Sequence, residues 1–117
     1  MERPIIMLNT DNMPVFCRNQ RANTKCAKHI SKAYECGGVI HCYSYSPEMA
    51  EEYVKMGFFI GMGGVLTFKN AKKLVRCVER IPLSSIVLET DCPYMAPEPN
   101  RGKRNDSSQL IYVAQKL

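Results

Sequence analysis

The chain has 117 residues, 45% of them hydrophobic and 23% charged, with 7 Gly and 7 Pro. That profile suits one globular domain and excludes collagen-like, low-complexity and strongly disordered chains. The net charge of +5 is spread, with six basic and three acidic residues before residue 46 and ten and eight from there on. It permits a nucleic-acid partner without requiring one, because a solvated surface of mixed charge accounts for it equally.

The longest apolar runs are four to six residues, as at Phe58-Phe59-Ile60 with its flanking Gly57, Gly61 and Met62. A membrane span takes roughly 20 residues. Residues 1–8 have too short an apolar core for a secretion signal and carry Glu2. A cytoplasmic protein without a membrane partner is expected. Six cysteines, at 17, 26, 36, 42, 77 and 92, include no C-x-x-C pair. They read as thiols packed like small apolar residues rather than as a disulfide framework.

In chain order, Met13–Cys17 reads as a strand and Ala27–Tyr34 as a helix with Ala27, Ile30 and Tyr34 on one side. Residues 37–43 form a short apolar run bounded by Gly and Ser, the mark of a buried strand. Ser46, Pro47 and Glu48 then open a helix, as cap, first helical position and first-turn acid. Met49, Tyr53 and Met56 share its apolar face, and Gly57 ends it.

Phe58-Phe59-Ile60 starts the next strand, and Gly61, Gly63 and Gly64 finish it. The spacing of Ala71, Leu74, Val75 and Val78 predicts a helix over about 70–81, stopped by Pro82. Residues 85–88 are a further strand, 93–106 a loop rich in Pro and Gly, and 110–117 a helix. Alternating apolar strands and amphipathic helices predict an α/β fold of parallel strands in about four βα units. A closed eight-unit barrel takes about 250 residues, so this is a small open sheet or a partial TIM-type (β/α) barrel.

In such folds functional groups collect at the C-terminal ends of strands. His41 and Asp91 sit at two of those ends. Imidazole with carboxylate suits zinc, manganese or magnesium, although a satisfied polar residue and a turn former also fit those positions. The Gly61-Met62-Gly63-Gly64 stretch fails the dinucleotide fingerprint and lacks a Gly-Lys-Ser/Thr, so close backbone approach explains it better. Arg101, Lys103 and Arg104 form a compact basic loop suited to a phosphodiester backbone or to bracing the loop itself. His29 lies among lysines and reads as a surface residue.

Four segments together resemble the TatD family of metal-dependent DNases. They are residues 38–44 around His41, 57–70 with its glycines, 88–94 around Asp91, and the basic loop 101–105. The resemblance covers 37–117 and leaves 1–36 as a divergent N-terminal segment with one βα unit. It implies a TIM-type barrel that hydrolyses phosphodiesters, with DNA as substrate, using one or two divalent metals (Mg, Mn or Zn). By the same resemblance His41 and Asp91 are metal ligands, and Asp91 is also the catalytic group that takes a proton from water. Glu89 supports the site, and Arg101, Lys103 and Arg104 approach substrate.

The departures lie upstream. The family brings a His-x-His pair and a Glu from earlier strands, whereas this chain has only His29 and His41. Cys17 and Arg18 follow Pro14-Val15-Phe16 where the family has another His. Asn100 and Ser107 replace residues common in relatives. The metal is therefore expected to be weakly held and the chain alone to be incomplete. It would pair with a second copy or with a missing N-terminal half. The competing expectations are a catalytically silent α/β module that binds nucleic acid or a partner chain, and a small thiol-using protein.

Overall fold

The structure, a computed structural model, describes residues 5–10, 13–17 and 38–117. Three strands run parallel: β3 (Gly38–His41), β4 (Phe59–Met62) and β5 (Ile86–Leu88). Helix α1 (Pro47–Lys55) joins β3 to β4, α2 (Lys72–Arg80) joins β4 to β5, and α3 (Leu110–Lys116) follows β5. The parallel strands lie side by side in chain order, as in a barrel, with no reversal of the kind a doubly wound sheet makes.

The N-terminal end departs from the expected run of parallel units. Strand β2 (Met13–Cys17) pairs antiparallel with β1 (Ile5–Thr10), a strand that hydrophobic periodicity does not announce. β1 also pairs antiparallel with β3, so the sheet order is β2-β1-β3-β4-β5. Chain length explains the hairpin. Only Asp11 and Asn12 separate the two strands. A two-residue connection permits antiparallel pairing, whereas a parallel one takes a crossover of about a dozen residues. The count among the described residues is therefore three parallel strands rather than four. The helix expected at 27–34 lies outside the described residues.

Helix α1 shows how local sequence sets an element's ends. The Ser46 hydroxyl accepts from the Met49 amide at 3.3 Å, and Pro47 follows at the first helical position, where its missing N–H costs nothing. At the other end Gly57 takes φ +88°. The Gly57 amide donates to Val54 O and the Phe58 amide to Tyr53 O, both at 3.0 Å. That is the Schellman pattern, completed by the edge-to-face contact of Phe58 with Tyr53.

Parity along the strands separates two faces. Ile40, Ile60 and Ile86 are aligned across β3, β4 and β5. Ile40 and Ile60 are fully buried, in one cluster with Tyr53 and Ala50 of α1 and Leu74 and Cys77 of α2. The alternate residues, Val39, Phe59 and Val87, look the other way. The Cys77 thiol donates to Tyr45 O at 3.5 Å, and burial pushes it up to about 11.

Candidate metal centre

The face of the sheet opposite the helices, bare among the described residues, leads directly to the site. His41 is two residues beyond Val39, and Glu89 two beyond Val87, so both side chains continue that face, His41 at the end of β3 and Glu89 just past β5. Glu89 Oε2 lies 2.6 Å from His41 Nδ1, and Asp91 Oδ1 lies 3.0 Å from His41 Nε2. The imidazole thus stands between two carboxylates. Glu89 is the more buried of the two, with 13% of its side chain exposed against 33% for Asp91. Burial holds the Glu89 carboxyl above its usual range, opposed in part by His41 and by the Cys42 amide.

Glu89 also fastens the turn that carries the histidine, since its Oε1 accepts from the Cys42 backbone amide. This matters because Cys42 and Asp91 both adopt left-handed backbone, at φ 51° and 55°. Such conformations cost about 1–3 kcal/mol each and persist where surrounding contacts impose them. Gly61 makes room for the arrangement: a Cβ there would run into the Glu89 carboxylate. Gly64 does the same for the loop after Asp91, where a Cβ would meet Met95 O. Close approach, rather than phosphate cradling, accounts for both glycines.

Asn105 holds that loop from behind. It is 3% exposed, and its Nδ2 donates to Thr90 O at 2.7 Å and to Tyr94 O at 2.8 Å. Its backbone amide donates to Pro93 O at 2.9 Å. One side chain therefore grips the chain on both sides of Asp91. A hydrophobic pattern gives no sign of this role, because a buried amide looks like any other loop Asn in sequence. The backbone bond to Cys42 and the space at Gly61 are equally invisible there.

The structure brings His41, Glu89 and Asp91 together and leaves the basic loop apart from them. The Arg101 guanidinium lies over the Phe68 ring, 3.8 Å from its centroid, and Lys103 and Arg104 are exposed. No hydrogen bond or ion pair joins these three to the triad among the described residues.

The triad's donor set fits a divalent cation in a specific way. A metal-ligating histidine usually donates its other ring N–H to a carboxylate. Glu89 is placed to receive the Nδ1 proton, which leaves the Nε2 lone pair facing an acceptor, Asp91 Oδ1. Two acceptors 3.0 Å apart call for a cation or a proton between them. Although all three groups offer ligand atoms within 4.8 Å of one another, the ring keeps Glu89 and Asp91 on opposite sides. In this arrangement His41 and Asp91 can serve one ion, and Glu89 orients the ring.

The family described as TatD related DNase matches residues 9–117. Over 108 residues the chain is 41% identical to an uncharacterized metal-dependent hydrolase, YabD, of Bacillus subtilis, covering 91% of this chain and 42% of that protein. It is 39% identical over 106 residues to an uncharacterized metal-dependent hydrolase, YcfH, of Escherichia coli, covering 89% and 40%. The crystal structure of YjjV, a TatD homolog from Escherichia coli, superposes with a TM-score of 0.69 at 32% identity, over 80% of this chain and 35% of that one. A TatD family hydrolase from Entamoeba histolytica shares the fold at 21% identity, with a TM-score of 0.62, over 79% and 38%. The chain spans about two-fifths of the length of these curated relatives.

Proposed function

Because the chain belongs to the TatD-related DNase family, we propose that it is the His41- and Asp91-bearing part of a metal-dependent phosphodiesterase that acts on DNA. The observation that carries this reading is the His41 ring held by Glu89 with its second nitrogen 3.0 Å from Asp91. A divalent cation at such a site neutralises charge on a phosphodiester and makes water easier to deprotonate at neutral pH.

The chain's own residues supply the rest. Glu89 fixes the plane and tautomer of His41 and pins the Cys42 turn. Asp91 is a third exposed, so its second carboxylate oxygen can reach a water and take its proton. Asn105 fixes the backbone on which Asp91 rides. Zinc, manganese and magnesium all suit one imidazole and one carboxylate. The described helices include none long and apolar enough to cross a membrane.

Two ligands among the described residues fall short of the three protein contacts of a catalytic zinc site. The remaining ligands then come from residues outside the described ones or from protein that covers the face of the sheet opposite the helices, whether a second copy or the N-terminal part that the longer relatives carry. Phe59, 42% exposed at its centre, is the residue such a partner would cover. Calorimetric titration of the chain with Mn2+ and Zn2+ tests the proposal. Weak binding that disappears in His41→Ala is expected, with little DNase activity from these 117 residues by themselves. Submicromolar affinity with robust DNA cleavage by the chain alone, lost in Asp91→Asn, would show that two ligands suffice. No binding at all, with DNA or a partner chain still held, would favour the second reading of a catalytically silent binding module.

A further inference from the structure

A second feature lies outside the metal centre and shares no residue with it. Between the turn after β4, helix α2 and the end of α3 runs an open cleft of about 450 Å³. Four cations line it: Lys69 from the turn, Lys72 and Arg76 from α2, and Lys116 from α3. One carboxylate, Glu79, lines it with them. None of the four takes part in an ion pair among the described residues. The contrast on the same helix is Arg80, which reaches Glu48 at 2.7 Å and Glu51 at 2.9 Å. Arg80 is thus matched by two carboxylates, whereas the four cations of the cleft share one, Glu79, and keep a net positive charge.

The distribution of these cations indicates the ligand. Lys72 and Arg76 are one turn apart on one helix face, and Lys69 and Lys116 come from two other elements. A single phosphate would need them focused on one point. Spread along three walls, they suit a chain of phosphates. The cleft also presents apolar surface from Phe68 and Val75, which suits sugar edges. Arg101, stacked on Phe68, extends the basic surface toward the loop that begins at Asp91. That loop is tied to the cleft wall, since the Glu98 amide donates to Thr67 Oγ1 at 2.8 Å.

We infer that this cleft holds the sugar–phosphate backbone of a single nucleic-acid strand, as a binding site separate from the metal centre. The inference extends the phosphodiester reading to the path of the substrate. Its test uses neither metal nor turnover, so the two stand or fall separately.

The experiment is fluorescence anisotropy of a labelled single-stranded oligodeoxynucleotide with the 117-residue chain in EDTA, across a salt series. Reversing Lys72→Glu with Arg76→Glu is expected to weaken binding about tenfold or more. It should also lower the salt slope by about 1.4, at about 0.7 per phosphate contact on a single strand. Lys69→Glu with Lys116→Glu, from the other two walls, should do the same. Lys55→Glu with Lys73→Glu makes an equal charge change outside the cleft and should cost less than about threefold. Equal losses from all three pairs, or none from the cleft pairs, would overturn the assignment. So would displacement of the labelled strand by a polyglutamate of matched charge as readily as by unlabelled DNA. All four cleft residues are exposed, and circular dichroism checks that each variant folds.

Discussion

On the helix-backed face of the parallel strands, Ile40 and Ile60 are fully buried beneath α1 and α2, and on the opposite face Phe59 is 42% exposed. The two faces are built from the same strands with alternate residues. Ile40 and Val39 are adjacent and both apolar, yet only Ile40 lies in the covered core. The difference teaches where stability and chemistry reside. The covered face holds the buried core of the described residues. The bare face carries His41 at the end of β3 and Glu89 just past β5, above Gly61.

The sharpest way to break this contrast is to cut one side chain from each face. Ile60→Ala should cost about 2–5 kcal/mol, because a fully buried side chain leaves a cavity. Phe59→Ala should cost only about 1 kcal/mol, since roughly half of the ring is already in water. Urea unfolding of both variants measures the gap. Equal losses would mean that the bare face is covered in solution, and sedimentation at several concentrations would then show the self-associated form.

A smaller effect is expected at the upper end of the bare face. Gly61→Ala forces Glu89 aside, because the new methyl occupies its carboxylate's position. A loss of about 1–3 kcal/mol is expected, the range of an overpacked site. The variant should also bind Mn2+ more weakly than the parent, as His41 loses its orienting partner. Unchanged metal affinity would show that Glu89 does not set the ring.

Asn105→Ala should cost about 1–2 kcal/mol by leaving Thr90 O and Tyr94 O without their donor. Hydrogen exchange should rise in residues 90–95 while the helix-backed core stays protected. Exchange spreading into β4 would mean that the loop and the sheet unfold as one unit.

The smallest effect belongs to a group remote from both faces. Asp106 accepts from the Ser108 amide and hydroxyl, which holds its carboxyl below the usual 3.8. A depressed folded value stabilises the protein above the unfolded value and loses that contribution as pH falls through the folded one. Thermal melts should therefore weaken slightly below about pH 4. Asp106→Asn should remove that part of the slope, and an unaltered slope would assign it elsewhere.

Some of this molecule is written in neighbouring residues. Ser46-Pro47 starts α1 and Gly57 ends it because capping and left-handed backbone are satisfied within a few residues. The apolar spacing of α2 is local in the same way, and so is the placement of His41 and Asp91 just where strands end. Other features depend on groups far apart in the chain. The pairing of β1 with β3 joins residues 30 or more positions apart. The bonds of Glu89 to His41 and to the Cys42 amide span 48 and 47 positions. The resting place of Arg101 on Phe68 is likewise a tertiary contact. Which alternate set of strand residues faces the helices is likewise silent in the pattern of β3, where Val39 and Ile40 are both apolar. Period-2 alternation distinguishes two faces, but only the docking of α1 and α2 decides which one is core and which one leads to the site.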